Sequence, residues 1–175
     1  MPVQMILDLA LLALVTLAGA QDLLSRRIPN RLLLVAWAVA LPLQAGLGGA
    51  GLLDGLIGAG VGLLLFLPLY LLRGMAAGDV KLLATVGAFA GPAATFQIAV
   101  LAWCVGGVMA LAIIVGRGHV RAALRNLRDL LRPIWLRLAG LPALPATLSR
   151  PGVGDMPYGL AIALATVAVV WARHA

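Results

Sequence analysis

The sequence predicts an all-α integral membrane protein, a bundle of six transmembrane helices with both termini on the non-cytoplasmic side. Of its 175 residues, 63% are hydrophobic and 11% are charged, whereas an average soluble domain is about 25% charged. The mean hydropathy is +1.07. Most of the apolar residues also form runs that approach the length of about 20 residues needed to cross a bilayer as a helix.

The six predicted spans follow one another along a single domain, residues 1–175. They are Val3–Ala20, Leu32–Leu47, Leu52–Leu72, Val80–Ala90, Ala94–Val115 and Tyr158–Ala172. The first has neither a basic start nor a small-residue cleavage site, so we interpret it as a retained span rather than a signal peptide. Helices are predicted throughout, because unsatisfied backbone groups are costly in lipid and the runs lack the alternation of barrel strands.

Glycines four residues apart mark the third and fourth spans. The pairs are Gly51/Gly55, Gly58/Gly62 and Gly87/Gly91. Small residues at this spacing let membrane helices approach closely. We therefore predict close packing of these helices and assign the glycines no ligand-binding role.

The basic residues predict the orientation of the bundle. All but Arg173 lie in or beside the connections that follow the first, third and fifth spans; they are Arg26, Arg27, Arg31, Arg73, Lys81, Arg117, Arg121, Arg125, Arg128, Arg132, Arg137 and Arg150. Cytoplasmic loops carry the excess of Arg and Lys, so these connections are predicted to be cytoplasmic. The basic residues fall on alternate connections only if the short fourth span crosses the membrane. The same topology explains the positive net charge, so no nucleic-acid partner is expected.

A basic amphipathic segment is predicted between the fifth and sixth helices. Arginines recur there every three or four residues, at positions 117, 121, 125, 128 and 132, beside Leu124, Leu127 and Leu131. A helix with this pattern lies in the membrane interface and turns its arginines toward anionic head groups. The lipid bilayer is thus a predicted partner.

The residue inventory excludes several kinds of hydrolase. Ser25 and Ser149 lie in predicted loops and neither stands beside a histidine, which argues against a serine enzyme. His119 and His174 are predicted on opposite sides of the membrane, and Cys104 is the only cysteine, so neither a zinc site nor a disulfide is expected. Because the chain has no Glu, its six aspartates are the remaining candidates for chemistry.

Asp22 and Asp79 are the candidate catalytic pair. Asp22 closes the first span and Asp79 opens the fourth, so both are predicted at the cytoplasmic membrane boundary. Two adjacent carboxylates can share one proton, which allows one to activate water while the other polarises a carbonyl group. Gly78 would permit a close backbone approach before Asp79. The alternative interpretation is that each aspartate is a helix-end charge paired with Arg26, Arg27 or Lys81.

Three stretches around these aspartates resemble the signature regions of one family, the type IV prepilin peptidases, which are GxGD membrane aspartic proteases. They are Asp-Leu-Leu-Ser-Arg-Arg-Ile-Pro-Asn at 22–30, Gly-Met-Ala-Ala-Gly-Asp-Val-Lys-Leu at 74–82 and Met-Pro-Tyr-Gly at 156–159. The resemblance implies that Asp22 and Asp79 are catalytic. Candidate supporting or substrate-binding residues in these stretches are Gly78, Lys81, Arg27, Pro29, Asn30, Met156, Pro157 and Tyr158. One departure is Ala76, where the family motif has glycine.

Some of these residues have structural interpretations as well. Pro29 and Asn30 are predicted to start the second helix, with Asn30 as its cap. Lys81 is interpreted either as tuning the aspartate pair or as binding lipid head groups. Asp155 is the rival carboxylate on the same side of the membrane, and we interpret it first as the cap of the last helix.

The resemblance also implies a substrate and a location. The substrate would be a prepilin, cut on the cytoplasmic side of its hydrophobic segment in the bacterial inner membrane. The connection between the first two spans is short, as in the peptidases of Flp (tight-adherence) pilus systems, so we expect cleavage without methylation and no metal or S-adenosylmethionine. Flp-type prepilins and the pilus assembly machinery are the expected protein partners. The alternatives are a preflagellin peptidase, and a transporter or assembly subunit whose aspartates carry protons or stabilise helix contacts.

Overall fold

The computed structural model describes residues 2–72, 74–118, 120, 121, 123–125, 128, 132 and 156–175. Most of these residues are helical, and none of them lies in a strand. The bounded helices are α1 (Pro2–Ser25), α2 (Asn30–Gly46), α3 (Gly49–Leu71), α4 (Ala77–Ala90), α5 (Pro92–Gly116) and α6 (Tyr158–His174). Each of the six predicted runs corresponds to one of these helices, and the all-α class is confirmed for the described residues.

Three of the described helices are long and apolar enough to cross a membrane. They are α1 from Val3 onward, α3 and α5, while α6 is apolar but shorter. The 14 residues of α4 extend only about 21 Å at 1.5 Å per residue. Three helices are therefore of full membrane-spanning length, and the others are shorter. The length and apolar composition of these three helices indicate a membrane protein.

The chain divides into two compact units. Residues 1–106 together with 157–175 form the first unit, and residues 107–156 form the second. In the second unit Arg117, Arg121, Arg125, Arg128 and Arg132 are exposed. The flanking Leu127 and Leu131 of the predicted interfacial segment lie outside the described residues, as does Asp155.

The centre of the first unit is α4. From Asp79 to Phe89, every residue of this helix except Lys81 is buried. Its neighbours are α1, α2, α3 and α6. Because other helices surround α4, most of its surface meets protein rather than lipid.

The crossing of α3 and α4 is a contact of backbone against backbone. A Cβ atom added at Gly62 would lie 2.5 Å from the carbonyl oxygen of Leu83. Cβ atoms added at Gly58 and Gly87 would each overlap the carbonyl oxygen of the other residue. Glycine is therefore required at this crossing, in agreement with the close packing predicted from its spacing.

We expect Gly87→Ala to lower the thermal unfolding midpoint of the detergent-solubilised protein. The added methyl group would strike the Gly58 carbonyl and force α3 and α4 apart, and overpacking of this kind costs about 1–3 kcal/mol. Gly60→Ala is the matched control, because no atom lies within 4 Å of a Cβ added there. Equal midpoints for the two variants would contradict the close crossing.

Polar side chains of α2 hold it parallel to α4. The indole nitrogen of Trp37 donates a hydrogen bond of 3.0 Å to the hydroxyl of Thr85. In the last turn of α4, the carbonyl oxygens of Ala88 and Phe89 accept hydrogen bonds of 3.0 and 3.2 Å from the buried amide of Gln44. Since carbonyl groups at a helix end lack partners within the helix, Gln44 satisfies part of the C-terminus of α4.

A second polar cluster lies where α1 begins and α6 ends. The carboxylate of Asp8 is buried; its Oδ2 is 3.1 Å from Nε2 of His174 and its Oδ1 is 3.9 Å from a guanidinium nitrogen of Arg173. Arg173 also donates to the carbonyl oxygen of Ala90, the last residue of α4, at 3.2 Å. The start of α1 thus meets the ends of α4 and α6, so α1 runs antiparallel to both.

Candidate active site

Asp22 lies in the last turn of α1 and is buried, with 6% of its surface exposed. Its Oδ2 accepts a buried hydrogen bond of 2.8 Å from the backbone N–H of Gly159. The backbone N–H of Leu160 donates to the same carboxylate. The side chain of Asp22 is therefore bound to the first turn of α6.

Asp22 belongs to α1, but its side chain caps the N-terminus of α6. The first N–H groups of a helix have no partner within it, and they favour a negative charge. The residue at the N-cap position, Pro157, makes no side-chain cap of its own. Asp22 supplies the missing acceptor, and the N-terminus of α6 in turn stabilises negative charge on Asp22.

The contact between Asp22 and α6 requires glycine at position 159. A Cβ atom at this position would lie 2.9 Å from Oδ2 of Asp22 and 3.0 Å from its Cβ. A further close approach of α1 and α6 occurs at Gly19, where an added Cβ would lie 3.0 Å from Cβ of Ala163. Two glycines thus bring α6 near enough to α1 for its N–H groups to reach Asp22.

Asp79 occupies the third position of α4 and is also buried, with 5% of its surface exposed. The backbone N–H of Ala76, the residue at the N-cap position of α4, is near its carboxylate and favours the charged form. An acidic side chain at this third position of a helix is the one that reaches back in a capping box. Ala76 has φ −79° and ψ 150°, an extended conformation open to any residue, so alanine fits here in place of the family glycine.

The carboxylates of Asp22 and Asp79 interact electrostatically. Asp22 is therefore near enough to Asp79 to influence it, while its own side chain is bound at the start of α6. Asp79 belongs to none of the three long apolar helices. It directly precedes Val80–Ala90, the predicted fourth span, and so lies outside the predicted membrane-spanning segments. Burial raises the pKa of Asp79 to about 7, and the neighbouring Asp22 is the second cause of this rise. Burial and the neighbouring carboxylate thus both favour the protonated form of Asp79.

An aromatic cluster adjoins the pair. The ring of Tyr158 packs edge-on against the buried ring of Phe66, with centroids 5.7 Å apart. Phe66 in turn stacks on Trp103 of α5, at 6.1 Å. Burial acts most strongly on the hydroxyl of Tyr158, followed by the nearby Asp79 and then by Cys104. Tyr158 therefore extends from the start of α6 toward α5, beside Asp79.

The start of α2 differs from its prediction. The residue at the N-cap position is Pro29, and α2 has no side-chain cap, so the prediction that Asn30 caps this helix is wrong. Asn30 is the first residue within the helix, and its side-chain oxygen accepts a hydrogen bond of 3.3 Å from Lys81. This bond joins α2 to the first turns of α4, next to Asp79.

The remaining predicted residues differ in their burial. Gly78 lies in the first turn of α4, and a Cβ atom there would lie 3.5 Å from Cβ of Ile28, which is an ordinary contact. We predicted a close backbone approach at Gly78, but the packing around this position does not require glycine. Arg27 is exposed, Pro157 is buried and Met156 is half-buried.

Sequence patterns did not indicate four residues of the site. Phe66, Trp103 and Cys104 lie in apolar runs where packing or the membrane interface explains such side chains equally well. Gly159 had a signal, because it completes the Pro-Tyr-Gly stretch, but its role depends on a contact with a residue 137 positions away. In the described part of the chain, no three His, Cys, Asp or Glu side chains form a group that could hold a metal ion.

Comparison with known proteins identifies the family. The model of the type IV leader peptidase family matches residues 9–111, more than half of the chain and a range that includes both Asp22 and Asp79. No curated protein and no solved structure matches the chain. The chain belongs to the type IV leader peptidase family.

Proposed function

We propose that this protein is a membrane aspartic endopeptidase that removes the basic leader from Flp-type prepilins at the cytoplasmic face of the bacterial inner membrane. One observation carries the proposal: the carboxylates of Asp22 and Asp79 are both buried at helix ends, and Asp22 is close enough to raise the pKa of Asp79. Membership of the leader peptidase family supplies the reaction class. The aspartate pair supplies chemistry suited to it, the activation of water beside a protonated acid.

The surroundings of the two aspartates suggest different roles. Asp22 accepts an N–H bond from Gly159 at the N-terminus of α6, and both the bond and the helix end favour its charged form against the opposing effect of burial. Asp79 has a raised pKa, which favours its neutral form. We therefore assign Asp22 as the base that activates water and Asp79 as the acid.

The reaction that we propose proceeds in two balanced steps. In the first, the water oxygen bonds to the scissile carbonyl carbon while Asp22 takes a proton from water and Asp79 gives its proton to the carbonyl oxygen. In the second, the carbon–nitrogen bond breaks, Asp22 protonates the departing nitrogen and Asp79 recovers a proton from a hydroxyl of the intermediate. Both carboxyl groups then have their initial protonation states.

Other residues have supporting roles in this proposal. The hydrogen bond between Lys81 of α4 and Asn30 holds the start of α2 against α4, and Pro29 stands at the N-cap position of α2. Pro157 stands at the N-cap position of α6 and leaves the first N–H groups of that helix to Asp22. Arg27 and Met156 are candidate substrate contacts, and the exposed arginines after α5 are candidate ligands of anionic lipid. The proposal includes the pilus assembly machinery as a partner, and cleavage without methylation, metal or S-adenosylmethionine.

The substrate class is tested by cleavage in membranes. We expect the protein to process a Flp-type prepilin and to leave an archaeal preflagellin intact. Processing of the preflagellin alone would favour the alternative peptidase. No processing of either, together with proton flux that depends on Asp22 and Asp79, would favour the transporter.

The pH dependence of processing tests the acid role of Asp79. With a pKa near 7, Asp79 is protonated below neutral pH and loses its proton above it. We therefore expect kcat/KM to fall about tenfold for each unit of pH above 7, a limb that reports the coupled pair in the free enzyme. Cys104→Ala should keep this limb, which excludes the thiol as its origin. A constant kcat/KM between pH 6 and 9 would contradict the assignment.

A further inference from the structure

Tyr158 lies at the candidate site, but the reaction of the two aspartates gives it no role. It is the first residue of α6, immediately before Gly159, whose N–H binds Asp22. Asp79 is close enough to influence its hydroxyl electrostatically. Tyr158 therefore adjoins the residue that binds Asp22, and its hydroxyl lies within the electrostatic reach of Asp79.

The packing of its ring leaves the hydroxyl available. The contact with Phe66, which is fully buried and stacked on Trp103, holds the ring by its apolar part. In the described part of the chain, no residue forms a hydrogen bond with this hydroxyl. The hydroxyl is therefore a donor at the candidate site that remains available to a bound ligand.

We propose that the Tyr158 hydroxyl donates a hydrogen bond to the carbonyl oxygen of the scissile peptide, and that Tyr158 is a third catalytic residue. This inference rests on the proposed peptidase function. In the first step, negative charge develops on the carbonyl oxygen until the proton of Asp79 reaches it. A fixed donor aimed at this oxygen stabilises the transition state more than the bound substrate. Tyr158 keeps its own proton, so the balance of the reaction is unchanged.

The test is a comparison of kcat and KM for Tyr158→Phe and wild type with a Flp-type prepilin in reconstituted membranes. Phenylalanine retains the ring that packs on Phe66, so the unfolding midpoint should not change. We expect kcat to fall about 100-fold, the loss typical of removing one such donor, with KM unchanged. A merely structural role would not lower kcat alone in a protein of unchanged stability.

Tyr70→Phe is the matched control. Tyr70 is the only other tyrosine, it is exposed on α3, and its variant should keep the wild-type kcat. A kcat for Tyr158→Phe within about twofold of wild type, or a rise of KM with kcat retained, would overturn the inference.

The Asp79→Asn variant, measured beside the tyrosine variants, separates this inference from the proposed function. If Asp79→Asn is inactive while Tyr158→Phe is fully active, only the role of Tyr158 fails. If Asp79→Asn processes the prepilin at the wild-type rate, the aspartic mechanism itself fails, and with it the role of Tyr158.

Discussion

Asp22→Asn and Asp79→Asn are each expected to slow prepilin processing at least about a thousandfold. Asparagine preserves the size of either side chain, but it can neither accept the proton of water nor donate one to the carbonyl oxygen. General acid and base groups contribute about 10²–10⁴-fold each. Since the two steps need both groups, the double variant should be no slower than either single variant, because residues that act as a unit are not additive.

Two measurements distinguish lost chemistry from lost folding. The first is the unfolding midpoint: Asp79→Asn should be at least as stable as wild type, because it removes a carboxyl group whose ionised form is costly to bury. The second is the control Asp54→Asn, which changes an exposed aspartate of α3 and should keep full activity. A folded Asp22→Asn or Asp79→Asn protein with near-normal processing would contradict the mechanism.

Gly159→Ala is expected to lower both activity and stability. Its Cβ would lie within 3.0 Å of the carboxylate and the Cβ of Asp22, so α1 and α6 must separate or the Asp22 side chain must leave the N-terminus of α6. The steric part costs about 1–3 kcal/mol. Displacement of a catalytic group by about 1 Å can cost about 100-fold in rate, and we expect at least that loss in kcat/KM.

A glycine far from any neighbour provides the comparison for this variant. A Cβ at Gly107, in α5, has open space around it, so Gly107→Ala should leave kcat/KM and the unfolding midpoint close to wild type. Wild-type activity of Gly159→Ala would show that Asp22 does not need its bond to α6.

The sequence indicated much of the helical fold because its signals are local. Apolar runs such as Leu52–Leu72 predict helices from composition alone, and the spacing of Gly58 and Gly62 predicts a close crossing. The bounds were less predictable where tertiary contacts decide them. We predicted that the first span ends at Ala20, but α1 continues to Ser25, because Asp22 is buried against α6 and its polar group is satisfied there.

The candidate site shows the same division between local and distant signals. The resemblance to prepilin peptidases indicated Asp22 and Asp79, which interact in the structure. It gave no account of how Asp22 is held, because its partner Gly159 is remote in sequence and binds through the backbone. The failed prediction for Asn30 has a related cause: a proline precedes it and takes the N-cap position, and Lys81 from another helix takes its side chain.

The central claim is that Asp22 and Asp79 together hydrolyse a prepilin, and its most direct test is cleavage by the purified protein in vesicles that contain no other protein. Intact-mass analysis would identify the products. For wild type we predict one cut before the hydrophobic segment of a Flp-type prepilin, with masses that add up to precursor plus one water and no added methyl group. The Asp22→Asn/Asp79→Asn double variant should leave the precursor whole. An uncut precursor with folded wild-type protein, or the same fragments from the double variant, would contradict the claim.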